Sequence, residues 1–298
     1  MTDMRVDVNT HLWAGSGVPR FIRDYSSGRG GGSSVESGTE RLLASMDRSG
    51  IDKAIAVALV PSPDLDDQEV SAINSYVASQ VALAPDRLVR FCAVNPRSER
   101  ATEILRSEVE DSGAQGLKIH GAMQEIDVDD RRLWPIYEFM EAHRLPILFH
   151  SGDIGVLPCT DTYTRATRFD EIACDFPELP MVLGHAGRID FSTVAGLLRK
   201  HSNVYADISS VIGRDPGSRT WPLKNLLEVV KPWAGSTEHV LFGSDFPLYS
   251  VSETISVVDQ LSGEIAAGAS GPTPLTPQDV IAVRDENARR FLAKYCLI

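Results

Sequence analysis

The amino-acid sequence predicts a closed (β/α)8 barrel in one domain. Three observations predict it. Eight short β-branched or apolar segments recur along the 298 residues, and nearly all are followed by a stretch with apolar residues at helical spacing. The first strand-to-helix turn carries neither G-x-G-x-x-G nor a P-loop, which argues against an open doubly wound sheet, the alternative architecture. Alternation of strands and helices implies parallel strands joined by crossover helices. A chain of this length suits one α/β barrel. The units share architecture but no sequence period, so a solenoid is excluded.

The first strand covers residues 4–11. Its apolar and polar residues alternate with a period of two, which predicts Asp7, Asn9 and His11 on one face. Residues 15–38 follow, of which 13 are Gly or Ser. That composition predicts a mobile insertion, either a lid over a site or a passive loop. Thr39 is expected to cap the next helix, with Leu42, Leu43 and Met46 on its buried stripe and Gly50 at its end. Strands are then expected at 51–60, 88–94, 116–120, 145–150, 181–185, 204–209 and 239–245. Helices are expected at 68–83, 99–109, 130–142, 169–175, 191–200, 223–230 and 252–261. A Gly/Pro/Ser-rich connector leads to a C-terminal helix at 278–294. The single barrel domain is expected to span 1–298.

The formal charge is −12, which disfavours nucleic acid and anionic membranes as partners. No apolar run is long enough to span a bilayer and no signal-peptide pattern opens the chain, so a cytoplasmic location is expected. Cys92, Cys159, Cys174 and Cys296 have no C-x-x-C spacing and read as reduced thiols.

Catalytic groups of such barrels sit at the C-terminal ends of the strands. Of seven histidines, His11, His120, His150 and His185 occupy strand exits. Asp207 and Asp245 lie near the ends of strands seven and eight. His143 and His201 are placed at helix C-termini, where the helix dipole favours them, and His239 precedes strand eight. Imidazole nitrogens and a carboxylate suit Zn²⁺, Mn²⁺ or Fe²⁺. A metal with an open position makes hydroxide available at neutral pH, and a nearby carboxylate moves its proton.

Six stretches together resemble the amidohydrolase superfamily, in its amidohydrolase-related branch with aminocarboxymuconate semialdehyde decarboxylase. They are Asp7-Val8-Asn9-Thr10-His11, Gly116-Leu117-Lys118-Ile119-His120, Phe149-His150-Ser151-Gly152, Gly184-His185-Ala186-Gly187, Phe242-Gly243-Ser244-Asp245-Phe246-Pro247 and Glu286-Asn287-Ala288-Arg289-Arg290-Phe291. The resemblance covers essentially the whole chain. It implies one divalent metal ion, Zn²⁺ first and Mn²⁺, Fe²⁺ or Mg²⁺ as alternatives. His11, His150 and Asp245 are implied as its ligands. His185 is implied as the catalytic electrophile or acid, and Asp245 also as the catalytic proton-transfer carboxylate. His120 is implied to line the pocket. A carbamylated Lys118 bridging two metals is set aside, because this branch carries one.

The family opens with H-x-H, and here Asn9 stands at the first histidine. An amide oxygen is a harder donor, better suited to Mg²⁺, Ca²⁺ or Mn²⁺ than to Zn²⁺. Three outcomes stay open: Asn9 ligates weakly, Asn9 hydrogen-bonds while water fills the vacancy, or the metal is absent. Arg188 is a candidate for a substrate carboxylate, or for a surface salt bridge. Trp13 is a candidate pocket wall, or packs under the Gly/Ser loop. The expected function is hydrolysis of a small carbonyl substrate, a lactone, ester or amide, with His185 stabilising the oxyanion. The alternative is non-oxidative decarboxylation of an unsaturated or aromatic acid. A ligand-binding barrel without turnover is the third reading. The partner is then a small carbonyl or carboxylate compound, and a homodimer is the assembly implied by resemblance.

Overall fold

A computed structural model describes residues 4–14, 18, 22–24, 37–155, 157–268 and 275–297. Most of the 15–38 insertion therefore lies outside the described residues. Eight parallel strands follow one another around a barrel in chain order. They are β1 (Val6–His11), β2 (Lys53–Val57), β3 (Leu88–Ala93), β4 (Leu117–Ile119), β5 (Ile147–His150), β6 (Met181–Gly184), β7 (Val204–Asp207) and β8 (Val240–Leu241). The ends meet: Val8 N–H donates to Phe242 O at 3.0 Å, Asp245 N–H to Asn9 O at 2.8 Å and His11 N–H to Phe246 O at 2.7 Å. The predicted fold class is thus the observed one.

The outer helices are α1 (Thr39–Ser49), α2 (Asp67–Val81), α3 (Ala101–Glu110), α4 (Trp134–Ala142), α5 (Phe169–Asp175), α6 (Phe191–Lys200), α7 (Trp221–Ala234) and α8 (Val251–Ala266). Gly38, not Thr39, sits at the N-cap of α1 and makes no side-chain cap bond. Thr39 instead donates its hydroxyl to Gln80 O at 2.6 Å, tying α1 to the end of α2. Asp66 and Glu69 form a capping box on α2, so that acidic pair has a structural use. The closing helical run is α9 (Pro277–Ala282), a π turn (Val283–Asn287) and α10 (Ala288–Lys294). Ala288, Phe291 and Leu292 of α10 pack with Val6 and Val8 of β1. No helix among the described residues is long and apolar enough to cross a membrane.

Two apolar layers follow from strand alternation. Ile55, Val57, Val89, Leu148, Val182 and Tyr205 pack together inside the barrel. Ala54, Ala56, Ile147, Phe149, Met181 and Leu183 face the helices. The first strand breaks this alternation. Asp7 pairs with Ala54 but Thr10 pairs with Ala56, so β1 holds one extra residue. This bulge separates Asp7 from the inner face that Asn9 and His11 reach, correcting the expected single face. The Asp7 carboxylate accepts N–H groups from Asn9 at 3.2 Å and Ser244 at 3.0 Å. It therefore supplies an acceptor where the bulge and the β8 exit leave backbone donors unpaired. Burial pushes this carboxyl up to about 7 despite those bonds.

Candidate active site

The strand exits meet around a cavity of about 60 Å³. His11, Lys118, His120, His150, His185, Arg188 and Asp245 line it, and Trp13, Leu59, Met123 and Leu248 add apolar wall. Every one of the four strand-exit histidines thus reaches one space. Trp13 stacks on His11 with ring centroids 4.8 Å apart.

Two loops hold reactive groups in unusual backbone conformations. His185, Ala186, Gly187 and Arg188 all have positive φ, as does Asp245 at 64°. Such conformations cost about 1–3 kcal/mol each for residues with side chains, and they persist where the surroundings enforce them. Gly152 makes room for the first of these loops, because a Cβ there would lie 2.2 Å from Gly187 O. Gly243 has a similar role, since a Cβ would press on Asp207 Cγ at 3.1 Å and on Asn9 Cβ at 3.2 Å.

His11 Nε2 lies 3.2 Å from Asp245 Oδ1. Burial alone would raise the Asp245 carboxyl, but the His11 hydrogen bond and the nearby His185 hold it down at about 2. Asp245 is therefore ionised at neutral pH. Burial lowers all four imidazoles, His185 to about 4, so they are neutral there. The stacking of His120 on His150, with centroids 4.1 Å apart and planes 12° from parallel, suits two uncharged rings.

Hydrogen-bond bookkeeping fixes the tautomer of His185. Its Nδ1 lies 3.1 Å from Ser209 O, a carbonyl that can only accept, so Nδ1 carries the proton. Ser209 Oγ, 2.8 Å away, accepts from the same nitrogen. The Ser209 hydroxyl donates to Asp207 Oδ1 and also accepts from Asn9 Nδ2 at 3.1 Å. Asp207 Oδ1 takes the His185 backbone N–H at 3.1 Å as well. His185 Nε2 is left as a bare lone pair on a ring lining the cavity. In its neutral form it accepts a proton; donating to an oxyanion, the expected role, would first require protonation.

Asn9 belongs to this network. Its amide nitrogen donates to Asp207 Oδ2 and Ser209 Oγ, both at 3.1 Å, and it does not line the cavity. Its Oδ1 is buried without a partner, as are His11 Nδ1 and His150 Nε2. Neutral imidazoles, an ionised carboxylate and a spare amide oxygen match a divalent ion in donor type. Among the described residues, one trio of His, Cys and acidic groups has all its ligand atoms within 4.8 Å of one another, and it is Asp170, Cys174 and His201 on the outer surface. His11, His150 and Asp245 share the cavity without closing to that distance.

Arg188 donates Nη1 to Ile154 O at 2.8 Å, and its Nε is buried without a partner. No ion pair engages it among the described residues. Sequence reasoning passed over Ser209, which orients His185. The available signal was its position two residues beyond Asp207 at a strand exit.

The amidohydrolase family model matches residues 6–294. An amidohydrolase from Burkholderia multivorans has 14% identity over 97% of this chain and 99% of its own, with a TM-score of 0.71. A 2,6-dihydroxybenzoate decarboxylase from Rhizobium has 17% identity over 98% and 99%, with a TM-score of 0.68. A dihydroxybenzoic acid decarboxylase from a Polaromonas species, solved with manganese and 2-nitroresorcinol, has 18% identity over 98% and 97%, with a TM-score of 0.69. No protein of curated function matches the sequence. At these identities the structural likeness is one of fold.

Proposed function

We propose that this chain, which belongs to the amidohydrolase family, releases CO₂ from a small aromatic or unsaturated carboxylic acid without oxidation. The observation that carries the reading is Arg188. Its guanidinium borders the cavity with a buried, unpartnered Nε, beside the apolar wall of Trp13, Leu59, Met123 and Leu248. That pairing suits a carboxylate carried on a flat apolar body. The decarboxylases among proteins of the same fold support it and reverse the order of the two functions expected from sequence.

Loss of CO₂ leaves the bonding electron pair on carbon, and a proton from solvent replaces the carboxylate. His185 Nε2 is the carrier of that proton, since the ring lines the cavity and its Nδ1 is engaged by Ser209. Asp245 favours the imidazolium while His185 holds the proton, and His11 keeps Asp245 ionised. A bound divalent ion would be held by His11, His150 and Asp245, with Asn9 Oδ1 as a further buried donor, and would polarise a substrate oxygen.

Hydrolysis is the second reading, favoured by an ionised Asp245 that can take a proton from water. Turnover in H₂¹⁸O separates the two, using 2,6-dihydroxybenzoate and unsaturated acids against a panel of lactones and esters. CO₂ release with no ¹⁸O in the organic product is the expected result. Heavy oxygen in the product without CO₂ overturns it.

A further inference from the structure

Lys118 is the buried charge that the reading above leaves unused. It lies on β4, is 2% exposed, and lines the cavity with the four histidines. No hydrogen bond or ion pair reaches its ammonium among the described residues. An ammonium has three donors and no acceptor, so burial strips hydration that something must replace. No carboxylate hydrogen-bonds it: Asp207 is bonded to Asn9, His185 and Ser209, and Asp245 to His11, so both favour its charge only through space. The Lys118 charge opposes protonation of each of the four imidazoles that line the cavity with it. Burial brings the amine itself down to about 8, which leaves it mostly charged at neutral pH. Lys118 and Arg188 thus give a protein of net charge −12 a cavity lined by two cations and one carboxylate, with Asp207 as the other carboxylate that acts on Lys118.

We propose that Lys118 is an anion anchor and that the substrate is a small diacid, with one anionic group on Lys118 and the other on Arg188. Two groups at separate points of the wall, β4 and the β6 exit, select a second acidic group on the substrate. The binding claim stands on the cavity; only the identity of the reaction rests on the decarboxylase reading.

Calorimetric titration of the purified chain with isophthalate and with benzoate tests it. Isophthalate is expected to bind about tenfold tighter or more. Lys118→Met and Arg188→Met are each expected to reduce isophthalate to the benzoate affinity. Equal affinity for both probes, or undiminished isophthalate binding by Lys118→Met, overturns the proposal. So does an intact mass heavier by one CO₂ that marks Lys118 as a carbamate. CO₂ release by Lys118→Met at the parent KM overturns the anchor and leaves the decarboxylase. Probes that bind as expected with no CO₂ from any acid support the anchor and remove the decarboxylase.

Discussion

Two histidine–aspartate pairs in this molecule look alike and differ in consequence. Inside the barrel mouth, His11 Nε2 lies 3.2 Å from Asp245 Oδ1, with both side chains 5% exposed. On the outer surface, His201 Nε2 lies 2.8 Å from Asp170 Oδ1, and the Asp170 side chain is 44% exposed. The outer pair is the shorter, and with Cys174 it forms the tighter set of potential metal ligands. Yet Lys200 Nζ sits 2.8 Å from both Asp170 oxygens, so a cation already occupies that carboxylate. The inner pair is surrounded by buried polar atoms without partners, His11 Nδ1, His150 Nε2 and Asn9 Oδ1. Unsatisfied buried groups around a cavity cost free energy that a satisfied surface cluster does not. Closeness of ligand atoms therefore points to the surface cluster, and unmet hydrogen-bonding capacity points to the one in the barrel mouth.

The sharpest way to break this comparison is to remove each carboxylate in turn. Asp245→Asn is expected to lower kcat for CO₂ release by about a thousandfold, because it abolishes the charge that supports a protonated His185. Asp170→Asn is expected to stay within about twofold of the parent, as surface changes usually do. Comparable losses in both variants would erase the distinction.

The sequence showed the inner site because strand exits are readable. A histidine at the end of a β-branched run needs only the alternation rule to be placed at the mouth, and His11, His120, His150 and His185 all meet there. The β1 bulge was not readable, since one extra residue leaves the pattern of apolar residues intact while moving Asp7 off the shared face. The left-handed run from His185 to Arg188 was hidden for a similar reason: only Gly187 in it announces positive φ. Lys118 was visible only as a metal bridge, because the absence of a partner is a property of the packed structure.

A smaller effect is expected at Ser209. Replacing it by Ala removes the nearest of the three oxygens at His185 Nδ1, leaving Ser209 O and Ser210 Oγ, and removes the hydroxyl that links Asn9 to Asp207. Ser209→Ala is expected to lower kcat by about tenfold and to populate the Nε2–H form of His185, read from ¹⁵N chemical shifts of labelled imidazole. Ser209→Thr, which keeps the hydroxyl, is expected to restore both. An unchanged tautomer in the alanine variant would mean that the Ser209 carbonyl and Ser210 Oγ suffice to fix the ring, and positioning would pass from the Ser209 side chain to them.

The smallest effect belongs to the outer pair and appears only in acid. The His201 hydrogen bond, with help from Lys200, holds the Asp170 carboxyl below its ordinary range. A carboxyl lowered by folding binds fewer protons in the folded than in the unfolded state. Its stabilisation is therefore present above the unfolded value of about 4 and is lost as the pH falls through the folded one. Melting curves for the parent and Asp170→Asn should run parallel above about pH 4 and converge below it. Solvent around the half-exposed carboxylate limits the gap to a few tenths of a kcal/mol. A gap several times larger would mean that the surface pair is as insulated from water as the one in the mouth, and burial would no longer distinguish the two clusters.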